Sequence, residues 1–107
     1  MAYTRRTVDD ELDDLLQVAP AIALDGPKGV GKTATAQRRA DSAWMFDRAG
    51  DREVARADPS LVLAGRGTLL LDEWQREPAM WDAVRRAVDA GSAPGRYLLT
   101  GSATPIK

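Results

Sequence analysis

Residues 26–33 read Gly-Pro-Lys-Gly-Val-Gly-Lys-Thr, and this segment constrains the fold of the chain more than any other. It matches the pattern GxxxxGK(S/T), which joins a buried strand to a helix through a Gly-rich loop. Residues 21–24 are short and apolar, as the incoming strand requires, and residues 33–40 have a helix-compatible composition. An ordinary Gly-rich turn is the alternative, but the complete strand–loop–helix context favours a phosphate-binding loop.

The residue types of this loop suit a bound polyphosphate. Its glycines allow the backbone to curl so that successive N–H groups point inward, toward an anion. The N-terminal end of the following helix carries a partial positive charge that stabilises phosphate there. Lys32 adds a cation for the β- and γ-phosphates, and the Thr33 hydroxyl is a ligand for Mg²⁺. The residues expected to contact the nucleotide are Gly26, Pro27, Lys28, Gly29, Val30, Gly31, Lys32, Thr33 and Ala34.

A second motif, residues 68–73, is an apolar run that ends in two acidic residues. Such a run predicts a central parallel strand buried on both faces, and ligands of open α/β sheets bind beyond the carboxyl ends of these strands. There Asp72 would hold Mg²⁺, directly or through water, and Glu73 would act as the general base. The alternative is that the two acids only cap the following helix. Together the two motifs predict a P-loop nucleoside triphosphatase.

Composition narrows the function further. The chain has 107 residues, 44% of them hydrophobic, which suffices for one domain or part of one. Its net charge of −1 gives no electrostatic case for nucleic-acid binding. The absence of Cys excludes disulfides, thiolate metal sites and Cys nucleophiles, and the absence of His leaves carboxylates as the bases. No apolar run reaches the ~20 residues of a membrane span and no signal peptide is recognisable, so we expect a cytoplasmic protein without a membrane partner.

Strand-like and helix-like patterns alternate along the chain. Short apolar segments predict four strands, at residues 21–24, 43–46, 68–71 and 96–100. Helices are predicted at residues 33–40, at residues 51–57 and after Pro78, whereas residues 60–64 are ambiguous. Residues 1–19 are predicted to form an N-terminal helix that buries one face, made of Val8, Leu12, Leu15 and Leu16. This order predicts a three-layer α/β domain with a parallel sheet.

Three segments carry a resemblance to one family: GPKGVGKT at residues 26–33, LLLDEWQ at 69–75 and LLTGSATP at 98–105. The chain resembles the AAA+-like P-loop ATPases of bacteria and archaea that often carry an uncharacterised, nuclease-like C-terminal domain. The resemblance covers residues 20–105. It implies an α/β/α core whose parallel sheet is ordered 5-1-4-3-2, with strand four between the two strands that carry the motifs.

The resemblance also implies a polar sensor at the carboxyl end of strand four, which reads the γ-phosphate and the attacking water. Thr100 and Ser102 are both candidates, and a plain strand-ending turn is the alternative. With the residues taken from the two motifs, the candidate catalytic residues are Lys32, Glu73, Thr100 and Ser102, and the candidate metal ligands are Thr33 and Asp72. The G-protein base-recognition signature Asn-Lys-x-Asp is absent, which favours ATP over GTP.

For four further side chains the sequence predicts a less specific role. Gln75 could orient water or a neighbouring loop, or could form only surface hydrogen bonds. The three Trp residues are expected to pack inside the domain rather than to stack on bases; they are Trp44, Trp74 and Trp81.

The sequence ends at Lys107, directly after the fourth strand-like segment. We therefore expect residues 20–107 to form a P-loop ATPase core truncated after strand four, with a genuinely minimal domain as the alternative. The C-terminal remainder of a larger protein, or neighbours in a homo-oligomer, would then be partners. Three function classes stay open: a Mg²⁺-dependent ATPase, a nucleotide-binding regulatory fragment with little or no hydrolysis, and a nucleotide-independent interaction fragment.

Overall fold

A computed structural model describes residues 12–26 and 32–102 of the chain. Strands and helices alternate along it, as the sequence patterns predict. The helices are α1 (residues 12–16), α2 (Lys32–Gln37), α3 (Ala49–Ala57), α4 (Pro59–Leu63) and α5 (Ala79–Asp89). The strands are β1 (Ala21–Gly26), β2 (Ser42–Met45), β3 (Leu69–Asp72) and β4 (Tyr97–Ser102), and a 3₁₀ turn at Trp74–Arg76 follows β3.

The four strands form one all-parallel sheet in the order β1-β4-β3-β2. This order confirms the predicted α/β class and places β4 between the two motif strands. Parallel strands need crossover connections, which here contain helices. Because all strands point the same way, their carboxyl ends meet along one rim of the sheet.

The sheet is covered on both faces, which explains the continuous apolar run of β3. Successive side chains of a strand alternate between faces, so Leu70 faces one layer while Leu69 and Leu71 face the other. The larger cluster includes Phe46, Val62, Leu69, Leu71, Met80, Val84, Tyr97 and Leu99. The smaller cluster consists of Leu12, Ile22, Ala36, Leu70 and Leu98, and so lies toward α1 and α2.

The N-terminal helix packs with only part of its predicted face. Leu12 is buried, and Leu16, one turn later, packs beside the same cluster. The prediction for Leu15 was wrong: its side chain is 43% exposed, because it lies at the margin of the face that Leu12 and Leu16 define. Val8 and the predicted start of this helix lie outside the described residues.

The ambiguous residues 60–64 belong to α4, a short helix with clear start signals. Asp58 is its N-cap, and its carboxylate accepts hydrogen bonds from the Ser60 backbone N–H at 3.1 Å and from the Ser60 hydroxyl at 2.6 Å. Pro59 occupies the first helical position, where its missing N–H costs nothing. The hydrogen bonds from Ser60 hold the pKa of Asp58 below its ordinary value.

Arg96 links three segments at the amino-terminal rim of the sheet, opposite the rim where the carboxyl ends of the strands meet. Its guanidinium donates to the carbonyl oxygens of Leu63 at 2.7 Å and Gly67 at 2.6 Å, and also to that of Gly65. The same group lies over the ring of Tyr97, 5.1 Å from its centroid. One side chain thus joins the end of α4, the following turn and the start of β4.

Among the described helices, none combines the length and the apolar character that crossing a membrane requires.

Candidate nucleotide-binding site

The elements that carry the sequence motifs end at the same rim of the sheet. β1 runs to Gly26, the first residue of the Gly-rich segment, and Gly26 pairs with Ser102 of β4. Two residues earlier Thr100 pairs with Leu24 on one side and with Asp72 on the other. The fold therefore places Thr100 of β4 between Asp72, in the second motif, and Leu24 of β1, the strand that leads to the Gly-rich segment.

Several predicted contacts lie outside the described residues. These are the contacts expected of the loop itself: Pro27, Lys28, Gly29, Val30 and Gly31. For five further residues the structure describes the backbone and not the side chain: Gly26, Lys32, Thr33, Ala34 and Ser102. Their roles stay predictions. Among the described residues, the candidate site consists of Asp72, Glu73, Gln75 and Thr100.

Thr100 holds the carboxylate of Asp72. The Thr100 hydroxyl Oγ1 donates a hydrogen bond to Asp72 Oδ1 at 2.5 Å, and the two side chains are 0% and 5% exposed. By strand alternation both lie on the face of Leu70 and Leu98, which is the face toward α2. A buried carboxylate requires hydrogen bonds to offset the loss of water, and this bond also orients the group.

The Asp72 carboxylate, oriented by Thr100, is a suitable ligand for Mg²⁺ that is bound together with a nucleotide. Mg²⁺ is usually held in proteins by one or two carboxylates, with phosphate oxygens and water completing the octahedron. Asp72 supplies one oriented carboxylate at the rim where the carboxyl ends of the strands meet. In the part of the chain that the structure describes, no three potential metal-ligating side chains cluster, so nothing there forms an all-protein cage.

Glu73 follows directly and has an unusual backbone conformation. Its φ of 55° and ψ of 46° are left-handed, and it is the only non-Gly residue with positive φ in the described ranges. Such a conformation costs on the order of 1–3 kcal/mol and persists where the surrounding structure enforces it, often at functional sites. The side chain is only 6% exposed. It makes no capping hydrogen bond to the 3₁₀ turn, which does not support the alternative that it is a simple helix cap.

Gln75 contacts this same carboxylate. Its side-chain amide Nε2 donates to Glu73 Oε1 at 2.9 Å, and Gln75 is half-buried. The sequence had suggested contacts to water, to a loop or to the surface, and it missed this bond. A separation of two residues between Glu73 and Gln75 does not predict a contact between their side chains unless the left-handed backbone at Glu73 is known.

The 3₁₀ turn that carries Gln75 is anchored at both ends. Trp74 packs against the larger core cluster and lies over Trp81 of α5, with ring centroids 4.6 Å apart and planes inclined by 32°. Beyond the turn, buried Glu77 accepts a hydrogen bond from Arg56 Nε of α3 at 2.9 Å. Trp44 and Trp74 thus pack as predicted, whereas Trp81 is 39% exposed and contacts the domain through Trp74.

Comparison with known proteins identifies the family to which this fold belongs. A family model described as an AAA domain (AAA_14) matches residues 18–107. The chain belongs to this AAA family. The family carries ATPase-like, nucleotide-binding domains, which agrees with the parallel α/β core.

Two curated relatives of this AAA domain come from Mycobacterium bovis and Mycobacterium tuberculosis, and each is described as an uncharacterized protein. Each is 37% identical over 109 aligned residues, which cover 98% of this chain and 25% of the relative. The AAA domain described here thus spans about a quarter of the length of these relatives. No solved structure matches it significantly.

Proposed function

We propose that this AAA domain binds ATP with Mg²⁺ and hydrolyses it, as the ATPase part of a longer cytoplasmic protein. The observation that carries the proposal is the buried Asp72 carboxylate, held by Thr100 and followed at once by Glu73, at the ligand-binding rim of the sheet. The Gly-rich motif that continues from Gly26 supports the same conclusion. Mg²⁺, when bound with ATP, neutralises negative charge on the β- and γ-phosphates.

The protein residues would divide the work as follows. The backbone N–H groups of residues 26 and 28–34 and the Lys32 ammonium would bind the phosphates, and Thr33 and Asp72 would be the metal ligands; Pro27 has no N–H to donate. Thr100 keeps Asp72 oriented and so acts through it. Ser102 is then the better sensor of the γ-phosphate, because its register position is opposite Gly26, where the phosphate loop begins.

Hydrolysis would proceed by in-line attack of water on the γ-phosphorus. The water oxygen forms a bond to phosphorus, the bond from phosphorus to the β–γ bridging oxygen breaks, and the products are ADP and inorganic phosphate. The Glu73 carboxylate accepts the proton of the attacking water. Positioning and charge stabilisation supply most of the rate in reactions of this type.

Two substitutions separate this function from the two alternatives. Lys32→Ala removes the phosphate-binding cation, so ATP affinity should fall; unchanged affinity would contradict both nucleotide-dependent functions and leave an interaction fragment. Glu73→Gln keeps the shape of the base but removes its charge, so binding should persist while phosphate release stops. If the unmutated chain binds ATP with Mg²⁺ but releases no phosphate, the domain is a nucleotide-binding regulatory module instead.

A further inference from the structure

We propose that Gln75 is a positioning residue for ATP hydrolysis, which acts by holding the Glu73 carboxylate in the orientation that accepts a proton from water. The inference rests on the function proposed above and adds to it a second residue whose effect on the rate passes through Glu73. Gln75 Nε2 donates a hydrogen bond to Glu73 Oε1 at 2.9 Å.

A Glu side chain needs such a partner at this position. Glu has three rotatable side-chain bonds, and a general base must lie within hydrogen-bonding reach of the water it deprotonates. The left-handed backbone of Glu73 sets the direction in which the side chain leaves the main chain, and the hydrogen bond from Gln75 fixes the position of one carboxylate oxygen. The amide donates without adding charge, so the carboxylate remains able to act as a base.

The turn that presents Gln75 is rigid enough for this role. Two backbone hydrogen bonds close it, from Arg76 N to Glu73 O at 3.0 Å and from Glu77 N to Trp74 O at 2.9 Å. The packing of Trp74 on one side and the ion pair of Glu77 on the other fasten it to the core. Gln75 is therefore presented by fixed elements, and small displacements of such residues alter rates strongly.

The kinetic test uses Gln75→Met, which retains length and removes the donor. As a matched control, Gln17→Met makes the same change at an exposed residue after α1. We expect Gln75→Met to lower kcat by on the order of tenfold, with KM within about twofold, and the control to leave both unchanged.

A second measurement does not depend on turnover. The side-chain amide resonances of Gln75 can be followed by NMR in the isotope-labelled full chain without nucleotide, and their loss in Gln75→Met assigns them. In Glu73→Ala these resonances should shift more than those of any other Gln. Unmoved resonances would overturn the inference, as would an unchanged kcat in a protein that hydrolyses ATP. If the unmutated chain releases no phosphate, the proposed function fails and the catalytic role of Gln75 fails with it, while the resonances still report whether the two side chains are bonded.

Discussion

The hydroxyl of Thr100 in β4 donates to the buried carboxylate of Asp72 in β3, across 2.5 Å between neighbouring parallel strands. The two residues are direct partners in the sheet register, so the strand pairing itself brings them together. The hydrogen bond joins the second and third motifs of the sequence. Thr100 therefore orients the Asp72 carboxylate. From the sequence alone, this role could not be distinguished from that of a γ-phosphate sensor.

Thr100→Val tests that task, because Val has nearly the shape of Thr and lacks the hydroxyl. One hydrogen bond to a buried carboxylate is lost, so the free energy of unfolding should fall by about 1–3 kcal/mol, as urea denaturation measures. The Mg²⁺ concentration that half-saturates ATP binding should rise, because Asp72 is no longer held in place.

The matched control is Thr68→Val, which removes a 2.6 Å hydrogen bond to the Gly95 carbonyl at the opposite rim of the sheet. It should lower stability without altering the Mg²⁺ dependence. An equal Mg²⁺ requirement in Thr100→Val and in the unmutated chain would contradict the role of Thr100.

Because the backbone at Glu73 is left-handed, Gly should be a more stable replacement than Ala at this position, the reverse of their order within a helix. Gly adopts positive φ freely, whereas Ala in this region costs roughly 1–2 kcal/mol. Glu73→Gly should therefore be more stable than Glu73→Ala by about 1 kcal/mol, although both lose the carboxylate. Thermal unfolding of the two variants gives the comparison.

Glu53, exposed within α3, supplies the control for that comparison. There Ala should be the more stable replacement, by about 1 kcal/mol, as in ordinary helices. The same order at both positions would mean that Glu73 lacks the left-handed conformation.

Arg96 should be a large contributor to stability for a side chain that is only half-buried. Its guanidinium binds three backbone carbonyls, and hydrogen bonds to charged groups contribute about 1.5–3 kcal/mol each before correction for exposure. Arg96→Ala should therefore lower the unfolding free energy by about 2–4 kcal/mol. Arg96→Lys should recover only part of it, because an ammonium lacks the planar fork. Arg66→Ala, on the exposed turn nearby, should cost almost nothing, and similar losses in both Ala variants would contradict the role of Arg96.

The contact between Trp74 and Trp81 predicts a spectroscopic signature. Two indole rings with centroids 4.6 Å apart couple their electronic transitions, and the coupled band in the circular dichroism spectrum should vanish in Trp81→Leu. Trp44→Leu removes a different Trp that packs against the same core cluster and should leave the band. A band that survives in Trp81→Leu would show that the rings do not stack.

Much of the fold could be predicted because its signals are local and agree with one another. The apolar run of β3 identifies a central strand, since only such a strand has both faces covered. The order of β4 between β1 and β3 came from the resemblance, because hydrophobic patterns carry no information about which strands pair. The short α4 was ambiguous, because a few apolar residues fit a strand or a helix equally well until the Asp58 cap is recognised.

The candidate site was predicted less completely, because its decisive features depend on backbone conformation. The types of Asp72 and Glu73 indicated their chemistry, yet no pattern indicated the left-handed turn that brings Gln75 onto the Glu73 carboxylate. The exposure of Trp81 was missed for a similar reason: its partner Trp74 lies in a turn whose conformation no sequence pattern indicates.

The most direct measurement of the central claim is phosphate release from ATP by the unmutated chain and by Asp72→Asn, across a range of Mg²⁺ concentrations. Asn retains the size of Asp and an oxygen for the Thr100 hydroxyl, so the domain should remain folded while the charged ligand is lost. We predict Mg²⁺-dependent release by the unmutated chain and a loss of about a hundredfold or more in Asp72→Asn. Equal rates in the two proteins would contradict the assignment of this rim as a magnesium–ATP site.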